Sequence, residues 1–239
     1  MKKITILFFS ILTLFLSSEC VGQKGNTNHN YTFKKGNFNG IGKWYMGREI
    51  AHVMGYQGIR WLERSSREKE ENVSKLIENM KIKSTDTIAD VGAGSGYHAF
   101  RMATLAREGF VYAIDIQREM LMEIEKTKAS RKIKNVETIV GSEKSIQLSK
   151  NSVNKILMVD VYHEFNYPME MITSIKKALK PNGQLFLIEY RGEDAKVPIK
   201  KIHKMTEKQA VKEMEAAGFK LKRNIENLPW QHCLVFEKK

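Results

Sequence analysis

The sequence predicts an α/β fold in which helices cover both faces of a doubly wound, mostly parallel sheet. Strand-like and helix-like patterns alternate along residues 84–239, as expected for parallel strands joined by right-handed crossovers. Residues 88–97 place apolar side chains before three glycines, at positions 92, 94 and 96, and a helix-like pattern follows. A chain of 239 residues is long enough for one such domain with short additions.

The predicted elements follow in a regular order from residue 67 onward. An amphipathic helix over 67–80 has these apolar residues on one face: Val73, Leu76, Ile77 and Met80. Thr206 suits the N-cap of a helix over 206–217, and Gly218 suits its end. The other predictions are strands at 88–91, 111–115, 136–140, 155–160, 185–189, 219–227 and 232–237, and helices at 98–107 and 169–179.

The glycine-rich stretch departs from the pattern of a dinucleotide site. That pattern needs Gly-x-Gly-x-x-Gly, but here the third glycine comes one residue early and Tyr97 takes the later place. Asp90, within the same stretch, would repel a pyrophosphate and attract an ammonium group. A loop with this composition therefore favours a ligand that carries a positive charge.

The order acid-x-Gly-x-Gly-x-Gly in residues 90–96 resembles motif I of the class I S-adenosylmethionine-dependent methyltransferases. The acid that ends strand 111–115, the loop after strand 136–140, strand 155–160 and the Leu-Lys-Pro-Asn-Gly turn at 179–183 resemble later motifs in the same order. This resemblance covers roughly residues 86–239. It implies a seven-stranded, Rossmann-like methyltransferase sheet with a C-terminal antiparallel hairpin, and S-adenosylmethionine as the cofactor.

The resemblance also implies which residues bind the cofactor. Asp115 would accept hydrogen bonds from the ribose hydroxyls, Ile116 would lie against the adenine, and Asp90 would bind the ammonium directly or through water. The predicted cofactor-binding residues are Asp90, Gly92, Ala93, Gly94, Gly96, Asp115, Ile116, Ser142, Glu143 and Asp160.

His163 is the candidate catalytic residue. Its His-Glu-Phe context resembles the His-acid-aromatic segment that supplies the base of plant-type O-methyltransferases, and an imidazole suits proton abstraction from a hydroxyl. Lining the pocket without accepting a proton and a purely structural role remain alternatives. Glu164 and His203 could join His163 around a metal, but their spacing resembles no ligand pattern, so no metal is predicted.

The N-terminal part divides into three predicted segments. Residues 1–22 have the basic, apolar and small-residue regions of a signal peptide, cleaved between Gly22 and Gln23, which predicts an exported, periplasmic protein. A lipoprotein attached at Cys20 and a retained membrane anchor are the alternatives. Residues 23–39 are predicted to be a flexible linker.

Residues 40–83 are predicted to form a helical, aromatic extension that serves as a substrate lid or as a hydrophobic brace on the sheet. The class I methyltransferase domain is predicted over residues 84–239. Residues from both parts are candidate substrate contacts: Trp44, Tyr45, Trp61, Arg64, Tyr190 and Arg191.

Charge and cysteine content exclude fewer classes of function than the motifs do. The net charge is +13, but the basic residues are spread along the chain, so no specific nucleic-acid partner is predicted. A basic surface suits peripheral membrane association, and removal of Cys20 would leave Cys233 without an intramolecular disulfide partner. The sequence thus predicts methyl transfer to a small molecule, with a non-catalytic cofactor-binding protein and a nicotinamide-dependent oxidoreductase as alternatives.

Overall fold

The computed structural model describes residues 31–239. The predicted signal peptide, with its alternatives, and residues 23–30 of the predicted linker lie outside the described residues. Within 31–239, no helix combines the length and the apolar composition needed to cross a membrane.

Seven strands form the central sheet, in the order β6-β5-β4-β7-β8-β10-β9. The first five strands of that order are parallel, and β10 is antiparallel to both β8 and β9. This confirms the predicted sheet and its C-terminal hairpin. The strands are β4 (Thr87–Val91), β5 (Phe110–Asp115), β6 (Val136–Val140), β7 (Val153–Val159), β8 (Leu179–Tyr190), β9 (Phe219–Asn224) and β10 (Gln231–Lys238).

Helices cover both faces of this sheet because successive strand residues point to opposite sides. Ile88 of β4 packs in one apolar cluster with the first group of helices, whereas Ala89 and Val91 pack in a second cluster with the other group. The first group is α3 (Val73–Met80), α4 (Tyr97–Leu105) and α5 (Arg118–Arg131), and the second is α6 (Pro168–Ala178) and α7 (Glu207–Ala216).

Two local predictions need correction. The single helix predicted over 67–80 is broken into α2 (Arg67–Glu71) and α3 at Asn72, which has φ +52° and whose side chain accepts a hydrogen bond from the Lys75 N–H. The turn predicted at 179–183 is part of β8. There, Leu179 and Gln184 pair with Val153 and Lys155, so the residues between them bulge out of the ladder.

The extension predicted to be helical over 40–83 begins instead as a small antiparallel sheet. Its strands are β1 (Tyr31–Phe33), β2 (Gly40–Tyr45) and β3 (Arg48–Ala51), so residues 31–33 of the predicted linker are also a strand. Met46 and Gly47 join β2 to β3 with φ of +48° and +106°, and two positive φ angles are typical of a tight hairpin turn. The first helix, α1 (Ile59–Leu62), comes only after this sheet.

Buried polar contacts attach the small sheet to the loop that follows β7 and to α7. Arg48 of β3 pairs with Glu213 of α7 at 2.8 Å and donates a hydrogen bond to the His163 carbonyl at 3.0 Å. Lys43 of β2 donates to the Asn166 carbonyl at 2.5 Å. The sheet therefore braces the segment that carries His163.

Candidate active site

A cavity of about 530 Å³ lies at the carboxyl ends of the parallel strands, where open α/β sheets bind ligands. Its floor comes from the loops after β4, β5, β6 and β7. Residues 53–64 and the loop at 198–203 cover it. A cavity of this size is suitable for small molecules.

The glycine loop after β4 forms one wall. Gly92, Gly94 and Gly96 have φ of +75°, +53° and +81°, angles that other residues adopt only with strain. A Cβ on Gly92 would lie 2.5 Å from Val161, and one on Gly94 would lie 2.5 Å from Leu62 of α1. The loop therefore lets both the segment after β7 and the covering helix approach its backbone closely.

Asp115 ends β5 and lines the cavity beside this loop. Its carboxylate accepts hydrogen bonds from the Gly94 N–H at 3.0 Å and the Gln117 N–H at 2.9 Å. Burial raises the pKa of Asp115, although these backbone N–H groups oppose the shift. Each oxygen keeps a second lone pair, so the carboxylate can still accept hydrogen bonds from a ligand.

The predicted adenine-binding residues lie along the same cavity. Ile116 is 46 % exposed and lines it, as do Ser142 and Glu143 of the loop after β6. Glu143 accepts a hydrogen bond from the Asn166 side chain at 2.6 Å, which joins the loops after β6 and β7.

Asp90, which is buried, and Asp160, which is half-buried, differ in their position relative to the cavity. Asp90 lies behind the glycine loop and does not line the cavity, whereas Asp160 does. Asp160 has φ +50°, and its Oδ1 is buried without a hydrogen-bond partner while Oδ2 accepts from Gln231. Burial, followed by the charges of Glu71 and Glu189, raises the pKa of Asp160 well above its usual range.

His163 is buried in the cavity lining, and Glu189 at the end of β8 fixes its orientation. The His163 Nδ1 lies 2.6 Å from Glu189 Oε2, and Glu189 Oε1 accepts from the Tyr162 and His163 N–H groups. Burial opposes protonation of His163, but the charge and hydrogen bond of Glu189 outweigh it and raise the pKa of the imidazole.

Glu164 and His203 complete a cluster around the other nitrogen of His163. His163 Nε2 lies 3.1 Å from His203 Nδ1, and Glu164 Oε1 lies 3.8 Å and 3.7 Å from these two nitrogens. Burial raises the pKa of Glu164 to about 7 and lowers that of His203 to about 4, where the charge of His163 adds to the effect. All three residues line the cavity.

The covering segment, residues 53–64, is held by polar contacts at both ends. The side chain of Gln117 accepts from the Tyr56 N–H at 2.8 Å and donates to the Met54 carbonyl at 3.0 Å. Arg64 pairs with Glu71 at 2.5 Å, and Tyr190 donates to the same carboxylate at 2.9 Å.

The structure brings some of the sequence-predicted residues to the cavity and leaves others away from it. Of the candidate substrate contacts, Trp61, Arg64 and Tyr190 line the cavity. Tyr45 is buried in the small sheet and Trp44 lies under Lys34, because both belong to a strand rather than to a helix.

Other predicted residues also lie outside the cavity lining. Arg191 donates to the Leu228 and Pro229 carbonyls. Ala93 and Gly96, like Asp90, are absent from the lining: Ala93 packs in the apolar core, and a Cβ on Gly96 would meet Phe100 and Ile124. Their contribution is to the turn itself, since the Ala93 N–H donates to the Ile114 carbonyl and Gly96 begins α4.

Sequence reasoning missed Glu189 and Gln117. Glu189 is a charged residue in the apolar run of β8, and its full burial at the carboxyl end of that strand marks it as a site residue. Gln117 follows the predicted ribose-binding acid by two positions, but its contact with Met54 spans 63 residues. A contact over that separation has no local pattern that would reveal it.

Known proteins resemble this chain chiefly over the central sheet. Residues 82–233 match a family model described as a methyltransferase domain. An uncharacterised methyltransferase of Schizosaccharomyces pombe is 34% identical over 56% of this chain and 50% of its own length. An uncharacterised methyltransferase of Bacillus subtilis is 31% identical over 60% of this chain and 76% of its own.

A solved structure extends the similarity to the fold. The crystal structure of a SAM-dependent methyltransferase from Aquifex aeolicus aligns with 78% of this chain over 100% of its own length, with a TM-score of 0.74 and 25% sequence identity. The chain spans only about half the length of several curated relatives that it matches, including the one from Schizosaccharomyces pombe.

Proposed function

Since the chain belongs to the class I S-adenosylmethionine-dependent methyltransferases, we propose that it transfers the cofactor's methyl group to a small molecule bound in the cavity. One observation carries this proposal. The same cavity is lined by Asp115 and Gly94 on one wall and by His163, Glu164 and His203 on another. Cofactor and acceptor would thus share one covered space.

The residues present fit the cofactor. Asp115 would accept the ribose hydroxyls, Ile116 would cover one face of the adenine, and Ser142 and Glu143 would lie near its amino group. Asp160 suits the ammonium better than Asp90, because its unpartnered Oδ1 belongs to a residue of the cavity wall. When bound, S-adenosylmethionine supplies an electrophilic methyl group on a sulfonium.

The protein's own contribution is positioning, exclusion of water and activation of the acceptor. Met54, Trp61 and Leu62 cover the cavity with apolar surface. His163 is the proposed general base: Glu189 holds its Nδ1, so a neutral imidazole keeps a lone pair on Nε2, within the cluster that faces the acceptor. An acceptor with a removable proton on oxygen, nitrogen or sulfur fits this wall.

Calorimetric titration with S-adenosylhomocysteine tests the cofactor assignment. We expect the wild-type chain to bind, and Asp115→Asn to bind at least about tenfold more weakly, because two charge-assisted hydrogen bonds are lost. Asp194→Asn is the matched control, since Asp194 lies outside the cavity lining. Equal binding by Asp115→Asn and the wild type would contradict the ribose assignment. If the wild-type chain binds the cofactor but methylates no acceptor, the non-catalytic alternative is favoured.

A further inference from the structure

We infer that His163, Glu164 and His203 form a binding site for a divalent transition-metal ion at the acceptor wall of the cavity. The ligand atoms would be His163 Nε2, Glu164 Oε1 and His203 Nδ1. Only the role of the ion in activating an acceptor rests on the proposed function. The site itself rests on the geometry of these three side chains.

The separations of the three atoms match those of metal ligands. The two nitrogens lie 3.1 Å apart, and the carboxylate oxygen lies 3.8 Å and 3.7 Å from them. A circle through three points with these separations has a radius of about 2.1 Å. Bonds from zinc to imidazole nitrogen and carboxylate oxygen are roughly 2.0–2.2 Å long, so a single ion can lie within bonding distance of all three atoms.

The surroundings of His163 are those of a metal-binding histidine. Glu189 Oε2 lies 2.6 Å from His163 Nδ1, which leaves Nε2 to bind the ion. A carboxylate behind a ligating histidine fixes the ring and increases the basicity of the ligating nitrogen. Glu189 is fully buried and also accepts the His163 N–H, so this orientation is fixed by the fold.

The charge balance also favours a cation. Glu164 is buried, and within residues 31–239 its ion pairs are with His163 and His203 alone, at 3.8 Å and 3.7 Å. The nearby guanidinium of Arg48 is paired with Glu213 and donates to a backbone carbonyl. Buried carboxylates are normally paired or bound to a metal, and within residues 31–239 Glu164 has no Lys or Arg partner, so a divalent ion suits this position.

The donor set indicates the class of metal and its role. Two imidazoles and one carboxylate suit Zn²⁺, Fe²⁺ or Co²⁺ rather than Mg²⁺ or Ca²⁺, which prefer oxygen ligands. Because the three side chains line the cavity, an ion that they hold would be accessible to an acceptor bound there. His163 would then be a ligand, and a metal-bound acceptor hydroxyl would lose its proton to water more readily. The oxygen–methyl bond forms as the carbon–sulfur bond breaks, with its electron pair remaining on sulfur.

Titration of the metal-depleted full chain, free of any histidine tag, with Co²⁺ tests the site. We expect one equivalent to bind and to give the visible absorption of a nitrogen-ligated Co²⁺ ion, which added Zn²⁺ abolishes. Glu164→Gln and His203→Ala should each weaken binding at least about tenfold, and Glu189→Gln should weaken it about 10–100-fold. Glu193→Gln removes the partner of His232, a histidine–glutamate pair outside the cavity, and should leave binding unchanged.

The result that would overturn the metal site is an absence of stoichiometric Co²⁺ binding by the folded protein, or binding that His203→Ala and Glu164→Gln leave unchanged. Either would show that the two imidazoles form only a hydrogen-bonded pair. Titrating the same metal-free protein with S-adenosylhomocysteine separates this failure from that of the proposed function. Cofactor binding without Co²⁺ binding rejects the metal site alone, and Co²⁺ binding without cofactor binding rejects the proposed methyl transfer alone.

Discussion

Asp90 illustrates how a single buried acid can link the cofactor loop to the stability of the fold. It is buried on β4 behind the glycines, and its Oδ2 has no hydrogen-bond partner. Burial raises the pKa of Asp90 to about 7, the charge of Asp115 adds to the shift, and Arg67 and the Ala99 N–H oppose it. The folded protein therefore holds a proton on Asp90 at pH values where the unfolded chain has released it.

Asp90 should make the folded state less stable as the pH rises from about 4 to about 7. In that range the unfolded chain has lost a proton that the folded chain keeps, so the free energy of unfolding falls by at most about 4 kcal/mol. Urea unfolding at pH 5 and pH 8 measures the larger part of this change, about 3 kcal/mol. Asp90→Asn should lose this part of the pH dependence while the other buried acids keep theirs. The same pH dependence in Asp90→Asn and wild type would contradict the assignment.

At the scale of secondary-structure elements, α1 is coupled to the glycine loop by one close contact. A Cβ added to Gly94 would lie only 2.5 Å from the side chain of Leu62 in α1. Ser95 Oγ of the glycine loop donates a hydrogen bond to Glu63, the residue that follows α1, whereas the contact between Leu62 and Gly94 is apolar. The conformation of the loop therefore limits how closely the covering segment can approach.

Gly94→Ala should weaken S-adenosylhomocysteine binding roughly tenfold or more, because the new methyl group both strains a residue at φ +53° and displaces Leu62. Adding Leu62→Ala should restore part of the affinity, since the overlap is then removed and only the strain remains. Gly47→Ala is the matched control: Gly47 also has a positive φ, but its Cβ would contact nothing within 4 Å. Calorimetry on the wild type, Gly94→Ala, Leu62→Ala and the double variant gives the coupling energy, and strictly additive losses would exclude the steric contact.

The elements that the sequence predicted well are those specified by local pattern. The strands before Gly92 and up to Asp115 follow apolar runs, and Thr206 caps α7 by accepting from the Gln209 N–H, as expected. The hairpin of β2 and β3 was missed because Met46 occupies a turn position where asparagine is usual.

The residues of the candidate site also differ in whether local sequence patterns predict them. Asp115, Ile116 and Asp160 stand at strand ends, so the chain order alone brings them to one edge of the sheet. His203 reaches His163 across 40 residues, through a loop without regular periodicity. Its contribution to the site depends on how that loop returns over the cavity, which local patterns do not encode.

At the scale of the whole molecule, one part of the covering segment is bonded to the domain that carries the central sheet, and another part faces the cavity. Gln117 holds Met54 and Tyr56, whereas Trp61 and Leu62 face the space that a ligand would fill. Trp61 remains 44 % exposed, so this part has few partners of its own. A bound ligand would supply the missing contacts and lower the population of openings in which the segment leaves the sheet.

Limited trypsin digestion followed by mass spectrometry can measure this opening. Arg60, in the covering segment, is exposed, and cleavage after it requires the segment to unfold locally. We expect saturating S-adenosylhomocysteine to slow this cleavage at least about tenfold, because a ligand at 10–100 times its Kd stabilises the closed form by about 1.4–2.7 kcal/mol. Cleavage after Lys132, which is exposed just beyond the end of α5 and lies outside the cavity lining, serves as the internal control and should change little. Equal protection at both sites would indicate general stabilisation of the fold, whereas no protection at Arg60 would show that the segment is not a lid for the cofactor site.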